Sequence, residues 1–244
     1  MKILLIAGHG AGDPGASGKL DGVTYREADE TRNLVAMVSA ELQKRKIDVQ
    51  TFDTARNAYG DYKTGTLKFP AVNYVLEIHF NAVAQSGEDG KTKGVECYVT
   101  TTESGIGVET AICGELARLG LTNRGVKKKN FAVISTAKRF GISAALLETC
   151  FIDDADDLRL YISRREAFAK AIASGICEGF GIDWKEDEAV GKKSGPSAWA
   201  KEACEWAVKK GIFQGDDKGD FRWQDPVTRE QLAVVLRRLF SSGN

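Results

Sequence analysis

The 244-residue sequence predicts an α/β protein: a mixed or largely parallel sheet flanked by helices, with a small helical domain at the C-terminal end. Short apolar runs bounded by glycine or polar turns alternate with stretches whose apolar residues recur at helical spacing, the pattern of strands joined by crossover helices. The two histidines both end such runs, Lys2-Ile-Leu-Leu-Ile-Ala-Gly-His9 and Tyr74-Val-Leu-Glu-Ile-His79. In open α/β sheets chemistry collects beyond the carboxyl ends of the strands, so both imidazoles are delivered to that edge. A change of composition at Trp184 sets the C-terminal domain apart.

The elements follow in order. After the first strand, residues 10–22 read as a glycine-rich loop, and a helix runs from about Arg26 to Lys46 with Leu34, Val35, Val38 and Leu42 as its buried stripe. A short strand, Val49–Phe52, precedes a patternless stretch over 53–70 that reads as loop. The strand Tyr74–Phe80 places Tyr74, Leu76, Ile78 and Phe80 on one face and Val75, Glu77 and His79 on the other. A polar loop over 85–93 leads to a strand at Val95–Thr100, then to an amphipathic helix, Val108–Leu119. Phe131–Ile134 and Ala144–Thr149 read as strands, and Leu158–Phe180 as one helix with Phe168, Ile172 and Ile176 on a face.

The first domain is therefore expected over 1–184. Residues 185–196 are charged, contain glycine and lack a hydrophobic period, which reads as a linker. Residues 197–244 read as helix–loop–helix. Trp199, Ala203, Trp206 and Ala207 line its first helix, Gly211 ends it, and Thr228 with Gln231 forms a capping box before Leu232, Val235, Leu236 and Leu239. So small a unit has a marginal core and is expected to dock or self-associate.

Composition excludes several classes. Thirty-four basic residues balance 34 acidic ones, so no basic face for nucleic acid is indicated. Five scattered cysteines without a CxxC pair read as free thiols, not a disulfide framework or a cysteine zinc cluster. The opening apolar run is too short for a signal core, and no stretch reaches the roughly 18 apolar residues of a membrane span. The expectation is synthesis in the cytoplasm without a signal peptide. Gly10-Ala-Gly12-Asp-Pro-Gly15 fits GxGxxG. A dinucleotide turn must open a helix at once, however, and Pro14, Gly18 and Gly22 postpone it.

Two histidines at one sheet edge suggest a metal. A hydrolytic zinc commonly takes three protein ligands and leaves one position for water. Candidate carboxylates are Asp13, Asp21, Glu27, Asp29 and Glu30 near His9, and Glu77 near His79. Glu77 lies two residues from His79 on one face, roughly 7 Å away along the strand, which suits a hydrogen-bonding partner better than a second ligand. Glu148, ending an apolar strand, is costly to bury unless paired or used.

These residues, in this order, resemble the zinc-dependent N-acetylmuramoyl-L-alanine amidases of the type-3 group, found in wall-remodelling enzymes and endolysins. The resemblance spans Lys2 to about Ile182 and rests on Gly8-His9-Gly10 with Gly15-Ala16, Glu27, Ile78-His79-Phe80-Asn81-Ala82, Gly94-Val95-Glu96, Arg124-Gly-Val-Lys127, and Glu148 before Phe151-Ile152. It implies His9, Glu27 and His79 as zinc ligands and Glu148 as the catalytic acid. The sequence departs from the family pattern at Ile6-Ala7, Glu77, Thr149-Cys150 and Asp153-Asp154. The C-terminal piece resembles one S-layer-homology unit through Trp199-Ala200, Gly211-Ile212, Gly219-x-Phe221 and Val227-Thr-Arg-Glu230.

The implied activity is zinc-assisted hydrolysis of the amide between N-acetylmuramic acid and L-alanine. The implied partners are peptidoglycan and, through the C-terminal module, cell-wall polymers, with a homo-oligomer a further expectation. Arg124 and Lys127 are candidates for stem-peptide carboxylates. A phage or prophage endolysin is the first reading. The alternatives are a host remodelling amidase, a zinc endopeptidase of the stem peptide, and a non-enzymatic wall-binding protein.

Overall fold

The computed structural model describes residues 1–10, 12–83, 91–184, 195–215, 221, 223 and 229–241. Its contacts divide the chain into two units, Met1–Trp184 and Lys185–Asn244. Most of the expected linker, residues 185–194, lies outside the described residues.

The first unit runs β1 (Lys2–Ala7), β2 (Ser17–Leu20), β3 (Val23–Arg26), α1 (Glu27–Lys44), β4 (Asp48–Thr51), α2 (Ala58–Thr64), β5 (Tyr74–Asn81) and β6 (Val95–Val99). It continues with α3 (Gly107–Arg118), β7 (Asn123–Lys128), α4 (Ala132–Arg139), β8 (Ser143–Phe151), α5 (Ala155–Ser163) and α6 (Arg165–Gly179). Six strands form one sheet in the order β4-β1-β5-β8-β6-β7. Strands β4, β1, β5 and β8 pair in parallel; β6 is antiparallel to β8, and β7 is parallel to β6. The fold is therefore α/β with a mixed sheet, as the alternation of patterns predicts.

The central strand β5 divides the core. Tyr74, Leu76, Ile78 and Phe80 join one apolar cluster with Leu34 and Val38 of α1, Ile112 and Leu116 of α3, and Phe168 and Ile172 of α6. Val75 joins a second cluster with Ala58 of α2, Val133, Ile134 and Ala137 of α4, and Ile6 and Leu146 from the neighbouring strands. Burial of this kind contributes about 25 cal/mol per Å². One buried polar network fastens α1 to α6: Arg165 donates to both carboxylate oxygens of Glu30, at 3.0 and 2.8 Å, and Tyr161 donates to the same group at 3.1 Å. Trp184 closes the unit beneath the Arg45 guanidinium, 3.5 Å above the ring.

Several elements differ from the sequence expectation. The glycine-rich loop contains the β2–β3 hairpin, turned by Asp21 and Gly22, both at positive φ (49° and 82°), the conformation that a two-residue hairpin turn demands. The expected loop over 53–70 contains α2, capped by the Asn57 side chain accepting from Gly60 N. Phe131–Ile134 is not a strand: Phe131 caps α4, whose Val133, Ile134 and Ala137 bury one face. So short an apolar run fits either period, and tertiary burial decides. Strand β7 was not expected because Asn123-Arg-Gly-Val-Lys-Lys128 is polar, as an edge strand often is. The single helix expected over 158–180 is two, broken at Arg164.

In the second unit a 3₁₀ turn, Ala198–Ala200, leads into α7 (Lys201–Lys209), and α8 spans Arg229–Ser241. Gly211 follows α7 at φ 69°, as a helix stop does. The capping pattern Thr228–Gln231 falls on residues or side chains that are not described. Ala207 and Ile212 are buried, whereas Trp199, Trp206, Leu232, Leu236, Leu239 and Phe240 are exposed.

Helices α3 and α6 meet through glycines. A Cβ on Gly175 would stand 2.5 Å from the Ile112 Cα. Gly175→Ala gains about 0.5–1 kcal/mol in helix propensity but forces two backbones apart. Overpacking of about 1–3 kcal/mol is expected to win, as a lower denaturation midpoint. A midpoint at or above that of the parent would mean the two helices separate freely.

Candidate active site

The site is assembled at the carboxyl edge of the sheet. Strand β1 runs out at Ala7, and Gly8 still ladders to β5 through Gly8 N and Ile78 O at 2.9 Å. His9 then takes a left-handed conformation, φ 62°, that turns its ring back over the edge. Three side chains hold that turn. Thr31 Oγ1 donates to Gly8 O at 2.9 Å, Arg32 Nη2 to His9 O at 3.3 Å, and Asn57 Nδ2 to Gly10 O at 3.2 Å. A Cβ on Gly8 would overlap the His79 imidazole, and one on Gly15 would stand 2.7 Å from Glu27 Oε2. The glycines admit the loop to the site.

Glu27, first residue of α1, is only 3% exposed. Its Oε2 accepts from Ala16 N at 2.9 Å and lies 3.2 Å from His9 Nε2. Its Oε1 accepts from Phe80 N at 3.0 Å and lies 3.0 Å from His79 Nδ1. The two rings stand edge to face, centroids 5.0 Å apart. His9, Glu27 and His79 offer one ligand atom each, all within 4.8 Å of one another, and could hold a metal ion. Two imidazoles and one carboxylate are an ordinary hydrolytic donor set with a position to spare.

Each imidazole turns its other nitrogen to a second acid. His9 Nδ1 lies 2.9 Å from Asp13 Oδ2, and His79 Nε2 lies 3.2 Å from Glu77 Oε1. Such outer carboxylates fix ring orientation and tautomer at metal sites. Asp21, Asp29 and Glu30, also sequence candidates, are elsewhere: Asp29 beside Arg26, Glu30 on Arg165, and Asp21 in the hairpin turn.

Glu148 on β8 is in register with His79 on β5 and, across the other edge, with Glu96 on β6. It is half-buried, and its enclosed Oε2 has no hydrogen-bond partner among the described residues. Glu96, 2% exposed, is the residue the sequence reading missed as a functional candidate. It accepts from Arg124 Nε at 2.6 Å, Tyr98 Oη at 2.7 Å and Asn81 Nδ2 at 3.0 Å, and also from Lys127 Nζ. The signal for it was an acid inside the apolar strand Val95-Glu-Cys-Tyr-Val99.

Environment separates these acids. Burial works to raise the Glu27 pKa, but hydrogen bonds from His79 and His9 outweigh it and hold the carboxyl at about 2. Burial works likewise on Glu96, where Lys127, Arg124 and Tyr98 prevail and lower it. Glu148 lacks such donors; burial raises it to about 7, against a smaller opposing pull from His79 and with repulsion from Glu27, Glu96 and Glu77. Burial would lower the His79 pKa, but Glu77 and Glu27 push it well up.

This architecture defines an α/β protein with a metal-capable centre and a raised-pKa carboxyl at one sheet edge. The chain belongs to the N-acetylmuramoyl-L-alanine amidase family, whose model matches residues 3–178, and the protein is accordingly a peptidoglycan amidase. The S-layer homology domain model matches residues 193–233. Among solved structures the chain is similar to the catalytic domain of the CD27L endolysin targeting Clostridia Difficile (TM-score 0.61, 21% identity, covering 76% of this chain and 99% of that one). It is also similar to the amidase AmiC2 of Nostoc punctiforme (0.58, 23%, 74% and 97%). A third is the CwlD amidase from Clostridioides difficile, solved with the GerS lipoprotein (0.60, 22%, 75% and 99%). No curated protein matches the chain. Among the described residues no helix is long and apolar enough to cross a membrane.

A carboxyl whose pKa is raised on folding destabilises the metal-free protein. Below the ordinary value, 4.5, both states are protonated and nothing is lost; above about 7 both are ionised and the full cost applies. Glu148→Gln mimics the protonated form. It is therefore expected to stabilise the metal-free protein by about 1–3 kcal/mol at pH 8 and hardly at all at pH 4. Thermal unfolding at the two pH values checks this; an equal effect at both would remove the raised pKa as the cause.

Proposed function

We propose that the chain cleaves the amide between N-acetylmuramic acid and L-alanine as a zinc enzyme, with His9, Glu27 and His79 as protein ligands and Glu148 as general base and acid. The observation that carries this is the convergence of three potential ligand atoms beside a half-buried carboxyl that has no partner on one oxygen among the described residues. Zinc bound there would polarise the scissile carbonyl and bring the pKa of a water toward ~7.

The chain's own groups do the rest. Glu148 accepts the proton of the attacking water and delivers it to the departing L-alanine nitrogen. A pKa near 7 suits both directions of transfer, since the group is neither too weak a base nor too weak an acid. A bound cation would pull that value down, and the burial that raises it sets the starting point. A hydrogen bond to Asp13 orients the His9 imidazole and an ion-pair contact with Glu77 backs that of His79, and each ring presents its other nitrogen toward Glu27.

The C-terminal unit is assigned to attachment, with domains at 1–184 and 197–244 around a linker at 185–196. The support is the S-layer homology match and the apolar side chains the unit leaves exposed. Lysis and wall remodelling share this chemistry, and a stem-peptide endopeptidase would use the same groups. Mass spectrometry of digested peptidoglycan separates them by product: free muramic acid ends with intact stem peptides are expected.

Zinc analysis tests the assignment of roles. His9→Ala, His79→Ala and Glu27→Ala are each expected to lose most bound zinc. Glu148→Gln keeps zinc and loses turnover by ~10²-fold or more. Glu77→Gln weakens zinc binding only modestly, on the order of 10-fold. Full zinc occupancy in either histidine variant would exclude the site, and a Glu77→Gln protein emptied of zinc while Glu27→Ala stays filled would exchange those two roles.

A chain ending near Lys185 is expected to cleave small soluble muropeptides but to pull down poorly with intact walls. Retention on walls equal to the full chain would remove the attachment role.

A further inference from the structure

The acids and bases at the sheet edge form a row that continues past the proposed catalytic carboxyl. His79, Glu148 and Glu96 are register partners on β5, β8 and β6. The row ends on β7, where Arg124 and Lys127 both donate to Glu96 Oε2. The bulge between Val95 and Cys97 in the β6–β7 pairing, with Gly125 at φ 77°, is where Arg124 and Lys127 come to share one acceptor. One buried anion thus holds two cations, leaving a net positive charge at the rim.

The cations are held but not consumed. Arg124 and Lys127 side chains remain 30% and 39% exposed, while Glu96 is 2% exposed. Arg124 reaches Glu96 through Nε, so both terminal guanidinium nitrogens lack a hydrogen-bond partner among the described residues. Its guanidinium lies 5.1 Å over the Phe151 ring, and the Lys127 ammonium 5.7 Å over Tyr98, contacts that fix their directions without using a donor. A guanidinium edge with two free N–H groups is the geometry that receives a carboxylate.

We propose that Arg124 and Lys127, set in place by Glu96, form a subsite for a carboxylate of the substrate's peptide. The proposal rests on the amidase reading and names the part of the substrate that this rim takes. Strands stand roughly 4.8 Å apart. Both cations rest on the Glu96 carboxylate, on the strand beside Glu148 and in register with it, so the subsite lies one to two strand spacings, roughly 5–10 Å, from Glu148. An extended peptide covers at most ~3.5 Å per residue. The recognised carboxylate is therefore borne two to three residues beyond the scissile amide. Glu96 is the positioning residue and touches no substrate.

The test uses the full, zinc-loaded chain carrying Glu148→Gln, so that binding is read without turnover. Two synthetic N-acetylmuramoyl peptides are compared, one with free carboxylates at the second and third residues and one with both amidated. Calorimetry is expected to give at least roughly 10-fold tighter binding of the acid form, from two charge-assisted hydrogen bonds. Adding Arg124→Gln or Lys127→Gln should bring the acid-to-amide ratio toward one, with Arg124→Lys recovering part of it. Glu96→Gln should lower the ratio also, with zinc content unchanged. Equal affinity for the two peptides, or a ratio that survives both cation variants, overturns the subsite. Failure of the parent chain to cleave either peptide would count against the amidase reading alone, since the affinity ratio is measured independently of turnover.

Discussion

The Glu27 carboxylate is the interaction on which the site depends. A buried anion must find donors, because leaving it unpaired would cost several kcal/mol. Glu27 finds four, and they come from three different pieces of chain: Ala16 N before the hairpin, His9 after β1, and His79 and Phe80 N on β5. The carboxylate also begins α1, where the helix dipole favours negative charge. Satisfying this one group therefore fixes the entry of α1, the path of the glycine loop and the facing of both imidazoles. Without a metal the two histidines serve as its counter-ions. A metal ion would take over that role with the same three side chains.

The other acids on this face are sorted by their neighbours, not by their type. Glu77 is buried behind His79, between strand positions occupied by Ile6 and Leu146, and has the imidazole as its ion-pair partner. Glu96 has four donors and stays ionised. Glu148 stands between them in the sheet with none on its enclosed oxygen among the described residues. Carboxylates in adjacent registers cannot all ionise cheaply, and the one without donors is the one whose pKa rises. Separating pKa values by environment is how like groups acquire unlike roles.

Much of this was legible in sequence. Scarcity made His9 and His79 conspicuous, and strand-end positions brought them to one edge. The period of β5 alone put Glu77 on the His79 face. What escaped was set by tertiary context. The Asp21-Gly22 turn was readable in principle, but its strands are four residues long and mostly exposed, too weak a pattern to stand out. Helix α4 lies on a short apolar run that fits a strand equally well. Strand β7 is nearly all polar, an edge strand whose Arg124 and Lys127 pair with Glu96, so no alternating apolar pattern marks it. Asp13 was one acid among several near His9 until the turn of the loop singled it out.

The cost of the site also explains where it sits. The left-handed His9 and the Glu148 Oε2, enclosed without a hydrogen-bond partner among the described residues, both oppose folding. They lie where the sheet ends, so the strands beneath them are still covered on both faces by the apolar clusters of α1, α3 and α6 and of α2 and α4. A site built into the middle of β5 would have displaced Leu76 or Ile78, both fully buried, and lost core packing as well. At the edge, the same strands supply rigidity while their last residues reach the rim of the sheet. Among its described residues the second unit buries Ala207 and Ile212 and exposes Trp199 of the 3₁₀ turn and Leu236 and Phe240 of α8, so the apolar side chains that could stabilise it are the same ones left open to a partner.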